Sequence, residues 1–193
     1  FAPIWEKLKT ALVPMVESDQ LSIRPMLGGL AVDSDESMPI GMQEMLEATW
    51  ANIAARLGTE FNHDFWRNCQ PRRSTYPACR ACLVARDKGL EWEMYRQIQH
   101  AYYLQAKNPS DMDTLADCAE QIGISRDAFV AAMAETKASG RLEQEIKQAR
   151  QMGLNSFPSF ALVLDDRVVP IELDYQDPNN MLRQIKQLVT GHK

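Results

Sequence analysis

The sequence predicts an α/β fold in which a small sheet and its helices are interrupted by a long helical insertion. Three observations carry this. The segment Gly153-Leu154-Asn155-Ser156-Phe157-Pro158-Ser159-Phe160-Ala161-Leu162-Val163-Leu164 ends a helical pattern at a glycine, crosses a short polar loop and an X-Pro step, and enters an apolar run. A proline cannot donate to a sheet ladder, so Pro158 must open the strand or lie at its edge. The run then turns at Asp165-Asp166 and returns as Arg167 to Ile171, the pattern of a hairpin. Between residues 34 and 138 the apolar runs that show a period have a helical one.

The elements follow in order. From Pro3 to Glu17, residues Ile4, Trp5, Leu8 and Leu12 fall on one helical face. Pro3 suits a first turn, and Pro14 is expected to kink or end the helix. Leu21, Ile23, Pro25 and Leu27 alternate with polar or flexible neighbours and read as a short, imperfect strand, broken by Gly28-Gly29. Pro39 to Leu57 is helical, closed by Gly58, and Phe61, Phe65 and Trp66 form an aromatic cluster after it. Further helices are expected over Pro77–Lys88, Glu91–Lys107, Ser110 to near Gly123 and Arg126–Lys137. Ser110-x-x-Asp113 reads as a capping box and Ser125 as an N-cap. Ser139 to Met152 follows with Leu142, Ile146 and Ala149 inward, and Asp177-Pro178 opens a last amphipathic helix. The domain division read from this order is 1–33 with 139–193 for the sheet-bearing part and 34–138 for the helical insertion.

Bulk properties narrow the function. The chain has 193 residues, 45% of them hydrophobic and 24% charged, an ordinary globular composition. A formal net charge of -5 argues against nucleic acid or an anionic membrane as the principal partner. No apolar run approaches the ~20 residues of a membrane-spanning helix. Cys69, Cys79, Cys82 and Cys118 are too few for a disulfide scaffold of this length and are not spaced for a four-thiolate zinc site. His63, His100 and His192 make no ligand pattern, and no metal is expected. Unpaired internal cysteines lean toward a reducing cytoplasm, with a periplasmic location left open.

Four stretches carry a resemblance. Phe1-Ala2-Pro3 with its helix, Leu27-Gly28-Gly29-Leu30, Ser74-Thr75-Tyr76-Pro77-Ala78-Cys79-Arg80-Ala81, and the Phe157-Pro158 loop with its hairpin occur in this order across the chain. The pattern resembles the DsbA-like branch of the thioredoxin superfamily, in particular its protein-disulfide isomerase members. The resemblance implies a thioredoxin-like fold with a helical insertion, its N-terminal strand missing before Phe1. It implies thiol-disulfide oxidoreductase or isomerase activity on protein or small thiols, with no cofactor. It also implies that Phe157 and Pro158 form a cis-proline loop that receives substrate. The family's catalytic dithiol is expected upstream of Phe1, where a helix N-terminus lowers a thiol's pKa.

Cys79-Arg80-Ala81-Cys82 is itself a C-x-x-C near the start of a predicted helix, close to Arg72, Arg73 and Arg80, which would favour a thiolate. No strand precedes it, and it falls in the insertion, so small buried thiols are preferred over a redox pair. Two other readings stay open. One is a kappa-type glutathione transferase or hydroxychromene-carboxylate isomerase, which shares the fold and uses a serine-type glutathione site. The other is a non-catalytic binding domain.

Overall fold

The computed structural model describes residues 1–191; His192 lies outside the described residues. The chain divides into two units. The first comprises Phe1–Gly28 and the chain from Ile146 onward, and the second comprises Gly29–Glu145.

In the first unit, α1 (Ala2–Glu17) and α9 (Pro178–Gly191) pack together and α9 also touches β2 (Arg167–Ile171). Strand β1 (Phe160–Leu164) pairs antiparallel with β2 from Phe160↔Ile171 to Leu164↔Arg167. The turn between them is Asp165-Asp166, with Asp165 at φ 50°. Ile4, Trp5, Leu8 and Leu12 of α1 are buried, as are Leu162, Ile171, Met181 and Ile185, so the apolar face read from the periodicity is the face that packs.

In this unit one expectation holds and one is corrected. The helix runs to Glu17 as its apolar spacing predicts, carrying Pro14 within it. Pro14 lies in the last turn, so its missing N–H removes only one late hydrogen bond. The expected strand at Leu21–Leu27 does not form. Leu21, Ile23 and Pro25 are half-buried while Ser22 and Arg24 are exposed, so the alternation is present in burial. A strand, however, is defined by its ladder, and Pro25 lacks a donor.

The second unit is helical: α2 (Ile40–Leu57), α3 (Asp64–Asn68), α4 (Tyr76–Arg86), α5 (Glu91–Tyr103), α6 (Met112–Gln121), α7 (Arg126–Ser139) and the first turn of α8 (Arg141–Gln151). Helix α4 is central. It packs on α5, α6 and α7, and Arg80 to Ala85 are buried without a break. The aromatic cluster joins α2, α3 and α5, with Trp50 stacked on Phe61 at 5.0 Å and meeting Trp66, Tyr102 and Tyr103 edge-on within 5.4 Å. Gly58 and Gly140 end α2 and α7 in the left-handed region that glycine favours.

The Ser110–Asp113 capping box does not form. Asp111 is the N-cap of α6, and the Ser110 hydroxyl instead donates to the Ser74 carbonyl at 2.7 Å. A long-range acceptor has won over the local one. Ser125 does occupy the N-cap position of α7, without a side-chain capping bond.

Candidate functional site

The loop singled out in the sequence is built by its own short-range bonds. Gly153, at φ 78°, stops α8. Leu154 N–H donates to the Ala149 carbonyl at 3.0 Å and Asn155 N–H to the Gly153 carbonyl at 3.1 Å. The Ser159 hydroxyl donates to the Ser156 carbonyl at 2.5 Å, which closes the turn around the Phe157-Pro158 bond. That bond is cis. Pro158 is half-buried, while the ring of Phe157 is 48% exposed and lies over Gly28.

Two residues beyond Pro158 the chain meets the head of α1. Phe160, the first residue of β1, packs on Trp5 at 5.2 Å and on Phe1 at 5.4 Å. Phe1 in turn meets Tyr175 edge-on at 5.4 Å. Trp5 is 6% exposed, so it serves as packing under the strand and its ring is not offered to solvent. The N-terminal end of a helix carries free N–H groups and the positive end of the macrodipole, and an anion held there is stabilised. The loop beside it offers backbone polar groups and one exposed ring.

The C-x-x-C lies elsewhere, in the first turns of α4. All four cysteines are free thiols. Burial pushes the Cys79 thiol up to about 11, partly opposed by a hydrogen bond from the Gly29 backbone. Burial raises Cys82 further still, and it also raises Cys69 and Cys118. A reactive thiol needs the opposite shift. Two of the three arginines expected to supply it, Arg72 and Arg80, are engaged with carboxylates. Arg80 forms a two-pronged pair with Asp33, one arm at 2.8 Å, and has Glu143 at 3.9 Å. Arg72 pairs with Asp111.

Around α4 the loop that follows Gly29 is fastened by side chains. The Thr75 hydroxyl accepts from Ala31 N–H at 2.9 Å and donates to the Ala31 carbonyl at 3.1 Å, and Ser34 N–H donates to the Ser74 hydroxyl at 3.2 Å. The Ser74-to-Ala81 signature is thus an anchoring element, a role that spacing alone does not reveal. Among the described residues no three His, Cys, Asp or Glu side chains gather as a metal-ligand set. No helix among them is long and apolar enough to cross a membrane.

The element order, the cis-proline loop and the helical insertion define a thioredoxin-like protein with an inserted helical domain. Within that class the chain belongs to the DSBA-like thioredoxin domain family, whose model matches residues 20–186. Solved structures share the fold. A proposed protein disulfide isomerase from Nitrosomonas europaea superposes with a TM-score of 0.82 at 19% identity, covering 100% of this chain and 91% of that one. The cytosolic disulfide reductase DsbM from Pseudomonas aeruginosa gives 0.71 at 22% identity, covering 97% and 94%, and its structure with GSH gives 0.69 at 21% identity with the same coverage. A curated relative, the ClpXP adapter protein SpxH of Shouchella clausii (strain KSM-K16), is 25% identical over 97 residues. That match takes in 50% of this chain and 32% of the relative, so the chain spans about a third of its length.

Proposed function

We propose that this chain is the body of a thiol-disulfide oxidoreductase or isomerase that acts on protein or small-molecule thiols and disulfides. A dithiol upstream of Phe1, at the head of α1, would supply the chemistry. The observation that carries this reading is the packing of Phe1 and Trp5 on Phe160, which sets the head of α1 beside the Phe157-Pro158 loop. A thiolate at that helix end attacks one sulfur of a substrate disulfide. A new S–S bond forms, the substrate S–S bond breaks and the leaving sulfur departs as thiolate. A second thiol then attacks the mixed disulfide, releases the reduced substrate and leaves the dithiol oxidised. The Phe157-Pro158 loop holds the substrate backbone in line for these steps. Family membership supports this reading, as do the DsbM structures, one of them with GSH. Four free cysteines suit a reducing compartment, which supports a cytoplasmic location.

The test is disulfide exchange by the full-length protein with a disulfide-linked fluorescent peptide. Exchange is expected to survive Cys79→Ser and Cys82→Ser and to fall when Phe157→Ala is introduced. Exchange that depends on Cys79 or Cys82, or no exchange with peptide or glutathione disulfides, would overturn the proposal.

A further inference from the structure

The hairpin register determines which segments share the loop's end of the sheet. Phe160 pairs with Ile171, so the residues that enter β1 and those that leave β2 lie at the same end. The entering residues, 153–160, contain no charged side chain. The leaving residues, 172–180, contain Glu172, Asp174 and Asp177 and no lysine or arginine. Asp174 is held ionised, its carboxylate accepting from the backbone N–H groups of Gln176 and Asp177 and from the Asn180 amide. Arg183, one turn along α9, is engaged with Asn180. Two half-exposed aromatic rings stand at this end: Phe157 at 48% and Tyr175 at 46%. Tyr175 is braced by Phe1 and Phe157 sits over Gly28.

We infer that this end of the sheet selects a polypeptide segment with an aromatic or aliphatic side chain next to its cysteine and neutral or basic neighbours, and that it disfavours glutathione. The inference deepens the function proposed above and rests on it. Glutathione is a net anion with two carboxylates. A site that holds it would present cations, whereas the segments entering β1 and leaving β2 carry Glu172, Asp174 and Asp177 and no lysine or arginine, with Asp174 and Asp177 bonded within their own turn and Glu172 exposed. Like charges brought together weaken binding, and at distances within a Debye length salt screens this only in part. Exposed rings held by packing on one side lose little freedom when a substrate side chain covers the other side, and each such contact adds to affinity. Phe157 and Tyr175 are therefore specificity-determining residues, and Glu172 contributes the charge preference.

The experiment is a pair of NMR titrations of the chain, following the ring signals of Phe157 and Tyr175. One ligand is acetyl-Leu-Phe-(S-methyl)Cys-Lys-Ala-amide, the other S-methylglutathione. The peptide is expected to shift both rings and to bind about tenfold more tightly. Phe157→Ala and Tyr175→Ala are each expected to weaken the peptide by about two- to tenfold. Glu172→Lys, at an exposed position, is expected to narrow the preference about threefold. If S-methylglutathione binds as tightly or more tightly at the same rings, the inference falls and the proposed function stands. If neither ligand shifts those rings at millimolar concentration, both fall.

Discussion

The ring of Phe157 lies so close over Gly28 that a Cβ added at position 28 would meet its Cε1 at 1.7 Å and its Cδ1 and Cζ at 2.7 Å. Glycine at position 28 is therefore a packing requirement of the cis-proline loop. The loop's exposed ring is set by a residue more than a hundred positions earlier in the chain.

Gly28→Ala follows from this contact. Phe157 is half exposed, so its ring can swing away and the protein survives. The expected loss of stability is about 1 kcal/mol, the scale of an off-rotamer side chain. The expected functional loss is larger, because the ring leaves the substrate side of the loop. Urea denaturation gives the first quantity and peptide titration the second. Unchanged Phe157 ring shifts in the alanine variant would contradict the contact.

The Cys79 thiol, pushed up to about 11 by burial, is protonated at neutral pH. At pH 7.5 the folded protein should leave Cys79 and the still more strongly shifted Cys82 unmodified by iodoacetamide, while denatured protein should be alkylated at both. Peptide mass spectrometry reads the sites. Rapid modification of Cys79 in the folded state would restore the C-x-x-C of α4 as a reactive pair.

Arg86 is held between two carboxylates. It donates to Glu91 at 2.7 and 2.5 Å and to Glu145 at 2.5 and 3.0 Å, with Glu145 only 8% exposed. Arg86→Met removes the cation and leaves two carboxylates facing each other in a half-dry site. A loss of about 3 kcal/mol is expected from chemical denaturation, since breaking a buried pair costs far more than the pair contributes. Adding Glu145→Gln should recover part of it.

The carboxylates of Asp33 and Asp87 are held below their ordinary range by hydrogen bonds from Arg80 and Arg141 respectively. A lowered folded-state pKa means the unfolded chain takes up protons first. The stability from these pairs is thus full above the ordinary aspartate value of about 3.9 and is lost as pH falls through the lower folded value. Thermal melts should be flat with respect to these groups from pH 7 to 5 and decline below about 4. Asp33→Asn should make that acid decline shallower.

The parts of the fold legible in the sequence are those where one local signal is sufficient. The hairpin is one: Phe160 to Leu164, the Asp165-Asp166 turn and Arg167 to Ile171 have their predicted bounds, because alternation and a turn agree. The buried face of α1 is another. Elements decided by distant partners were not legible. The Ser110 hydroxyl bonds to Ser74 and not to its own helix. Leu21–Leu27 has a strand's alternation without a ladder. Tyr102 and Tyr103, adjacent in sequence, both join the Trp50 cluster, a convergence that only the packing of α5 on α2 decides. Helix α3 was read only as an aromatic cluster, being five residues long.

The same division holds at the site. The cis Phe157-Pro158 bond was legible because the X-Pro step before a strand is a local signal. The Phe157–Gly28 contact and the carboxylates at the exit of β2 depend on the register of the sheet, and no spacing in the sequence reveals them. The arginines near Cys79 were visible, but their engagement by Asp33 and Asp111 was not.

The measurement that tests the central claim most directly is the identity of the residues preceding Phe1 in the full-length polypeptide, read from its coding DNA and checked by mass spectrometry of the native protein. A strand-like apolar run followed by C-x-x-C immediately before Phe1 is the predicted result, with the dithiol at the head of α1 beside Phe160. A serine in place of the first cysteine, or no such segment, would contradict the dithiol mechanism.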